Sequence, residues 1–151
     1  MLLTADKVFD GSTFLTNVTV EVDQDKIIAI HQGVLPNAEY IAGTLTAGFI
    51  DVHVNGGGGK LFNFEPSVET VETMISAHAK FGTTALLPTL ITDEASVMER
   101  AADAISDAVK QNSPGILGIH FEGPHLSIPK KGVHEETLVR PIGDREKAIF
   151  N

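Results

Sequence analysis

His53 and Asn55 stand two residues apart in Phe49-Ile50-Asp51-Val52-His53-Val54-Asn55, and His120 and Glu122 repeat that spacing around Phe121. Side chains two apart on a strand share one face, so each pair could aim both groups at one ligand. Each pair ends a mostly apolar run, and glycine follows, Gly56 in the first case and Gly123-Pro124 in the second. Active sites of parallel βα folds gather at this carboxyl end of the strands. A carboxylate placed there is costly to bury unpaired, so Glu122 calls for a metal, a cation or N–H donors. On spacing alone, a polar rim histidine before a turn asparagine, and a salt-bridged rim glutamate, remain open as the plainer readings.

Other candidates are weaker taken singly. Gly56-Gly57-Gly58-Gly59 could bring backbone amides to an anion, but it has neither P-loop nor dinucleotide-fingerprint spacing, and a turn after a strand is the simpler meaning. Lys130-Lys131-Gly132-Val133-His134 is the one concentration of positive charge in an acidic chain, suited to an anionic ligand or simply a solvated loop. His31 and His78 have no partner visible in the sequence and read as packing or surface residues. His125, three residues after Glu122, stays open.

The elements that must position these groups follow from periodicity. Val18, Val20 and Val22 alternate with polar residues at period two, Asp23 to Lys26 is turn chemistry, and Ile27 to Ile30 returns. With Leu2 to Phe9 as a partner, this predicts a small antiparallel sheet with a hairpin. From Gly48 the rhythm changes. Phe49 to Val54 is a strand, and a helix is expected over 68–81 with Ser67 as cap, Glu69 and Glu72 at its positive end and Gly82 as stop. Its apolar face carries Val68, Val71, Ile75 and His78. Thr83 to Leu90 is the next strand. Thr92 or Asp93 can cap a second helix with a stripe of Val97, Ala101, Ala104, Ile105 and Ala108. After a break at Asn112 to Gly115, Ile116 to Phe121 forms a third strand. Strand, helix, strand, helix, strand predicts parallel βα units in an open sheet or a closed barrel. Asp144 can cap a last helix that has barely begun at Asn151. Short helices are marginal alone and three parallel strands leave edges unpaired, so a chain longer than this one is expected.

Whole-chain quantities exclude several classes. The 151 residues are 42% hydrophobic and 21% charged, which is globular composition. A net charge of -9 argues against a nucleic-acid partner. There is no cysteine, hence no disulfide and no thiolate metal site. No apolar run reaches membrane-spanning length, and the first residues lack a signal-peptide pattern. A cytoplasmic protein is the default expectation.

Taken together, the segments resemble one family. Thr46-Ala47-Gly48-Phe49-Ile50-Asp51-Val52-His53-Val54-Asn55-Gly56 is similar to the first barrel strand of the amidohydrolase superfamily. Leu87-Pro88-Thr89-Leu90-Ile91-Thr92, His120-Phe121-Glu122-Gly123-Pro124-His125-Leu126 and Lys130-Lys131-Gly132-Val133-His134 resemble, in that order, the N-acetylglucosamine-6-phosphate deacetylases. The resemblance implies an α/β fold, a partial (β/α)8 TIM-type barrel over residues 46–151, preceded by strands of a small β-sandwich over residues 1–45. It implies hydrolysis of the acetamide of N-acetylglucosamine 6-phosphate to glucosamine 6-phosphate and acetate. It maps a metal ligand to Glu122, with His53 a candidate beside it, and sugar contacts to Val133 and His134. Two histidine ligands and an aspartate acid/base are expected beyond Asn151, so the 151 residues alone are expected to be inactive. One divalent metal per site, zinc or iron, and a homodimer of the complete protein complete the expectation. The chain departs from the family at two places. His53-Val54-Asn55 stands where many amidohydrolases carry His-x-His, which weakens a second metal position, and Ala47 replaces a common proline. Two alternatives stand beside this reading: another amidohydrolase with a different amide or ring substrate, and a noncatalytic fragment that docks onto a complementary chain.

Overall fold

A computed structural model describes residues 1–150. They divide into two compact units, Met1–Ala47 and the segment from Gly48 on.

In the first unit, β1 (Leu2–Phe9), β2 (Phe14–Leu15), β3 (Val18–Asp23), β4 (Lys26–Gln32) and β5 (Glu39–Leu45) form one five-stranded sheet. The expected hairpin is β3–β4, closed by a two-residue loop in which Gln24 takes a positive φ of 52°. β1 pairs antiparallel with β3. The alternation buries Ala5, Val8, Val18 and Val20 on one face, with Val22, Ile41 and Leu45 packed at its margin. The sheet is not wholly antiparallel, as the sequence suggested. β5 runs parallel to β1, pairing Leu3 with Glu39 and Val8 with Leu45. A parallel return needs no tight turn, so no local turn signal marks it.

The second unit is built of parallel βα elements. Its main sheet has the order β10–β9–β6, with β6 at Phe49–Val54, β9 at Thr83–Ile91 and β10 at His120–Glu122. β9 lies in the centre and pairs in parallel with both neighbours. The four glycines after β6 make a small hairpin, β7 (Gly56–Gly57) with β8 (Lys60–Leu61). Its turn residues Gly58 and Gly59 have φ of +62° and +84°, a backbone that glycine adopts without strain.

Helix α1 (Val68–Ala79) starts where Ser67 Oγ accepts the Thr70 N–H at 3.2 Å, a cap worth about 1 kcal/mol. Its buried face is centred on Thr70, Val71 and Met74, one step round from the expected stripe. Helix α2 (Ala95–Lys110) buries Ala95, Met98, Ala101, Ala104, Ile105 and Ala108. Neither Thr92 nor Asp93 caps it. Glu94 occupies that position and makes no side-chain capping bond. The small alanines let α2 lie close, and one core joins β6, β9 and both helices through Phe62, Met74, Leu86, Leu90 and Met98. Each of these large side chains contributes about 1.5–3 kcal/mol by burial.

The third strand is shorter than the apolar run predicted. Ile116 touches β9 through a single bridge to Leu86, and regular pairing resumes only at His120. The chain then runs through two 3-10 turns, Ile128–Lys130 and Glu136–Leu138, to α3 (Asp144–Ile149). Asp144 is the first residue of α3 rather than its cap, and the Glu146 carboxylate instead accepts the Gly143 N–H at 3.1 Å. Arg140 pins this long connection. Its guanidinium donates to the carbonyls of Asp93 at 3.0 Å and Leu138 at 2.9 Å, and to the Glu146 carboxylate at 2.7 Å.

Candidate active site

Parallel pairing puts the carboxyl ends of β6, β9 and β10 on one side of the sheet. Register matches Val54 with Pro88 and Glu122 with Ile91. Polar side chains at these ends meet. His53 Nε2 lies 2.9 Å from Glu122 Oε2, and His134 Nε2 lies 3.3 Å from Glu122 Oε1. The rings of His53 and His120 stand 4.7 Å apart. His120 Nδ1 donates to the Val52 carbonyl at 2.8 Å, which leaves its Nε2 outside that bond.

Both oxygens of Glu122 therefore face imidazole nitrogens. Burial pushes its carboxyl up, but the hydrogen bonds and charge of His53 and His134 outweigh burial and hold it below the ordinary carboxylate value. The group is poised as an anion, the form that accepts N–H donors or a cation.

His134 and Val133 are chain neighbours with opposite fates. Val133 is 94% exposed at the tip of its loop, whereas His134 is only 6% exposed. The Lys131 ammonium donates to the His134 carbonyl at 3.2 Å and so braces the turn. His134 Nδ1 lies 2.7 Å from the hydroxyl of Thr92, the first residue after β9. Thr92 is itself buried and fits against Gly123, where an added Cβ would stand 2.1 Å from Thr92 Oγ1.

Of the residues singled out by sequence, the structure brings together His53, His120, Glu122 and His134. His125 turns away and bonds the Arg140 carbonyl at 2.9 Å. His31 pairs with Glu21 at 2.7 Å on the first sheet. His78 bonds the Gly56 carbonyl at 3.0 Å and holds the glycine hairpin to α1. Asn55 shares the strand end, and its Nδ2 is buried without a hydrogen-bond partner. Two residues escaped the sequence reading. Asn63 clasps the end of β9, bonding the Ile91 backbone at 3.0 and 3.1 Å and Asp93 at 2.9 Å. Thr92 belongs to the site rather than to a helix cap. Its position at the carboxyl end of a parallel strand places it near the site, but nothing in the sequence names His134 as its partner.

Oxygen and nitrogen donors of this kind suit a divalent cation. Glu122 and His53 supply the right donor types in part. Among the described residues, no group of three or more His, Cys, Asp or Glu side chains is arranged to hold a metal ion.

Parallel βα units with a carboxylate and histidines at the strand ends define a class of α/β enzyme-like sites. Residues 44–150 match the amidohydrolase family, and the chain belongs to that family. It is 53% identical over 115 residues to N-acetylgalactosamine-6-phosphate deacetylase of Shewanella sp. strain ANA-3, covering 76% of this chain and 29% of that protein. It is 41% identical over 122 residues to N-acetylglucosamine-6-phosphate deacetylase of Haemophilus influenzae, covering 75% of this chain and 32% of that one. The crystal structure of N-acetylglucosamine-6-phosphate deacetylase from Pasteurella multocida superposes with a TM-score of 0.90 at 38% identity, over 99% of this chain and 41% of that one. The chain thus spans about a third of the length of the relatives it matches.

Proposed function

We propose that the whole protein deacetylates an N-acetylhexosamine 6-phosphate, releasing acetate and the free amino sugar phosphate, with Glu122 as a metal ligand. The observation that carries this is the Glu122 carboxylate, kept ionised at the end of β10 between His53 Nε2 and His134 Nε2. The likeness to deacetylases of amino sugar phosphates supports the substrate class. In this reading residues 46–151 are the first βα units of a (β/α)8 barrel, and residues 1–45 are strands of a small β-sandwich beside it.

Glu122 would hold one divalent metal, zinc or iron, with His53 next to it. Such a metal, when bound, polarises an amide carbonyl and lowers the pKa of a bound water toward ~7. This chain's own groups do the rest of the positioning. His134 presents Nε2 at the edge of the carboxylate and contacts the sugar. Val133, at the exposed loop tip, contacts the sugar. The remaining ligands and an aspartate acid/base belong to later strands of the whole protein. The whole protein works as a homodimer in the cytoplasm, with a small phosphorylated amino sugar as its partner and neither nucleic acid nor membrane.

The relatives divide between two epimers, and the 53% identical one is named for the galactosamine compound. That identity favours N-acetylgalactosamine 6-phosphate as a second reading. Acetate release from the two epimers by the metal-loaded whole protein tests both. Turnover of either establishes the class, and the larger kcat/KM assigns the epimer. No release from either overturns the proposal.

A further inference from the structure

His134 is held from behind as well as from in front. Its Nδ1 lies 2.7 Å from Thr92 Oγ1 and its Nε2 lies 3.3 Å from Glu122 Oε1. A neutral imidazole carries one N–H, and which nitrogen bears it is set by the bond the other makes. The Glu122 contact is longer than an ordinary N–H···O bond, but an ionised carboxylate has no proton to offer and attracts an N–H, so the tautomer with the proton on the nitrogen facing Glu122 is the favoured one. Nδ1 is then the acceptor and needs a donor. The Thr92 hydroxyl has a single proton and two acceptors within reach, Nδ1 at 2.7 Å and the Glu122 carbonyl at 3.4 Å. At 3.4 Å an O–H bond is beyond its ordinary range, whereas 2.7 Å is near the optimum. The proton therefore goes to Nδ1.

We propose that Thr92 is a positioning residue that donates its hydroxyl proton to Nδ1 of His134 and thereby keeps the imidazole N–H on Nε2, on the side of the Glu122 carboxylate. Both side chains are buried, so solvent does not compete for the hydroxyl. Gly123 makes the arrangement possible, because any side chain there would occupy the place of Thr92 Oγ1. The same geometry explains why Thr92 leaves the helix-capping role its sequence position offers. A Ser at this position keeps the donor, and a Val keeps the shape without it.

This inference rests on the proposed deacetylase reading for its activity readout but not for its spectroscopic one. In the metal-loaded whole protein, Thr92→Val should lower kcat/KM for the preferred N-acetylhexosamine 6-phosphate by about 10- to 100-fold, on the scale set by outer partners of metal-ligating histidines. Thr92→Ser should stay close to wild type. In a His134→Ala background, Thr92→Val should cost nothing further, as expected when one residue acts through another. Nitrogen-15 NMR of labelled histidines should place the His134 proton on Nε2 in the wild type and in Thr92→Ser, and lose that preference in Thr92→Val. Equal activity of the Val and Ser variants, a full Thr92→Val loss in the His134→Ala background, or a wild-type proton on Nδ1 would each overturn the proposal. A protein that deacetylates neither epimer would refute the functional reading alone, and the NMR result would still decide the role of Thr92.

Discussion

His53 Nε2 approaches Glu122 Oε2 to 2.9 Å although 69 positions separate the two residues and β9 runs between their strands. Neighbouring strands lie about 4.8 Å apart, so the outer two are separated by roughly 10 Å, a gap that a histidine and a glutamate side chain on one face can close between them. His120 adds a second link between the outer strands, since its Nδ1 bonds the Val52 carbonyl of β6. The carboxylate thus meets His53 through the sheet and His134 through a later loop rather than through any local motif.

The connection after β10 has its own electrostatic clasp, with a defined pH signature. Arg140, donating at 2.7 Å, holds the Glu146 carboxyl below its ordinary value near 4.5. The N–H of Glu146 itself and that of Gly143 act in the same direction, against burial. A carboxyl depressed on folding contributes stability above its unfolded pKa and loses it as pH falls through the folded one. Glu146→Gln should therefore lower the thermal midpoint at pH 7, and the gap from wild type should shrink steadily below about pH 4.5. Thermal unfolding of both proteins from pH 7 to pH 3 checks this. A gap that is constant over that range, or wider in acid, would count against the clasp.

Gly123 should not tolerate alanine. Its φ is +87°, and the new Cβ would meet Thr92 Oγ1 at 2.1 Å. The backbone strain alone costs on the order of 1–3 kcal/mol. Gly123→Ala should lose about that much in denaturant unfolding, and should also lose activity by displacing Thr92 from His134. Unchanged stability together with unchanged kcat/KM would show that the notch is not needed.

Much of this was legible in the chain. The apolar runs at Phe49 to Val54 and Thr83 to Leu90, each followed by turn or cap chemistry, mark strands, and the α2 stripe is written at helical spacing. His120 and Glu122 declare themselves because an ionisable pair two apart on a strand must share a face. What could not be read is long-range. The parallel pairing of β5 with β1 leaves no turn residues to find. Thr92 looks like a helix cap, and only the fold reveals that a loop 42 positions later delivers His134 to it. The separation of Val133 from His134 is likewise invisible, since adjacent loop residues carry no period that says which is buried.

The central claim is that Glu122 holds a metal on which acetate release depends. The most direct measurement compares the whole wild-type protein with Glu122→Gln, which keeps the size and removes the charge. Bound divalent metal per protomer and acetate release from both N-acetylhexosamine 6-phosphate epimers would be read side by side. The account expects the variant to lose most of its metal and to fall by at least about 100-fold in kcat/KM, beyond the effect of losing an outer partner. A Glu122→Gln protein that kept its metal and turned over at the wild-type rate would contradict it.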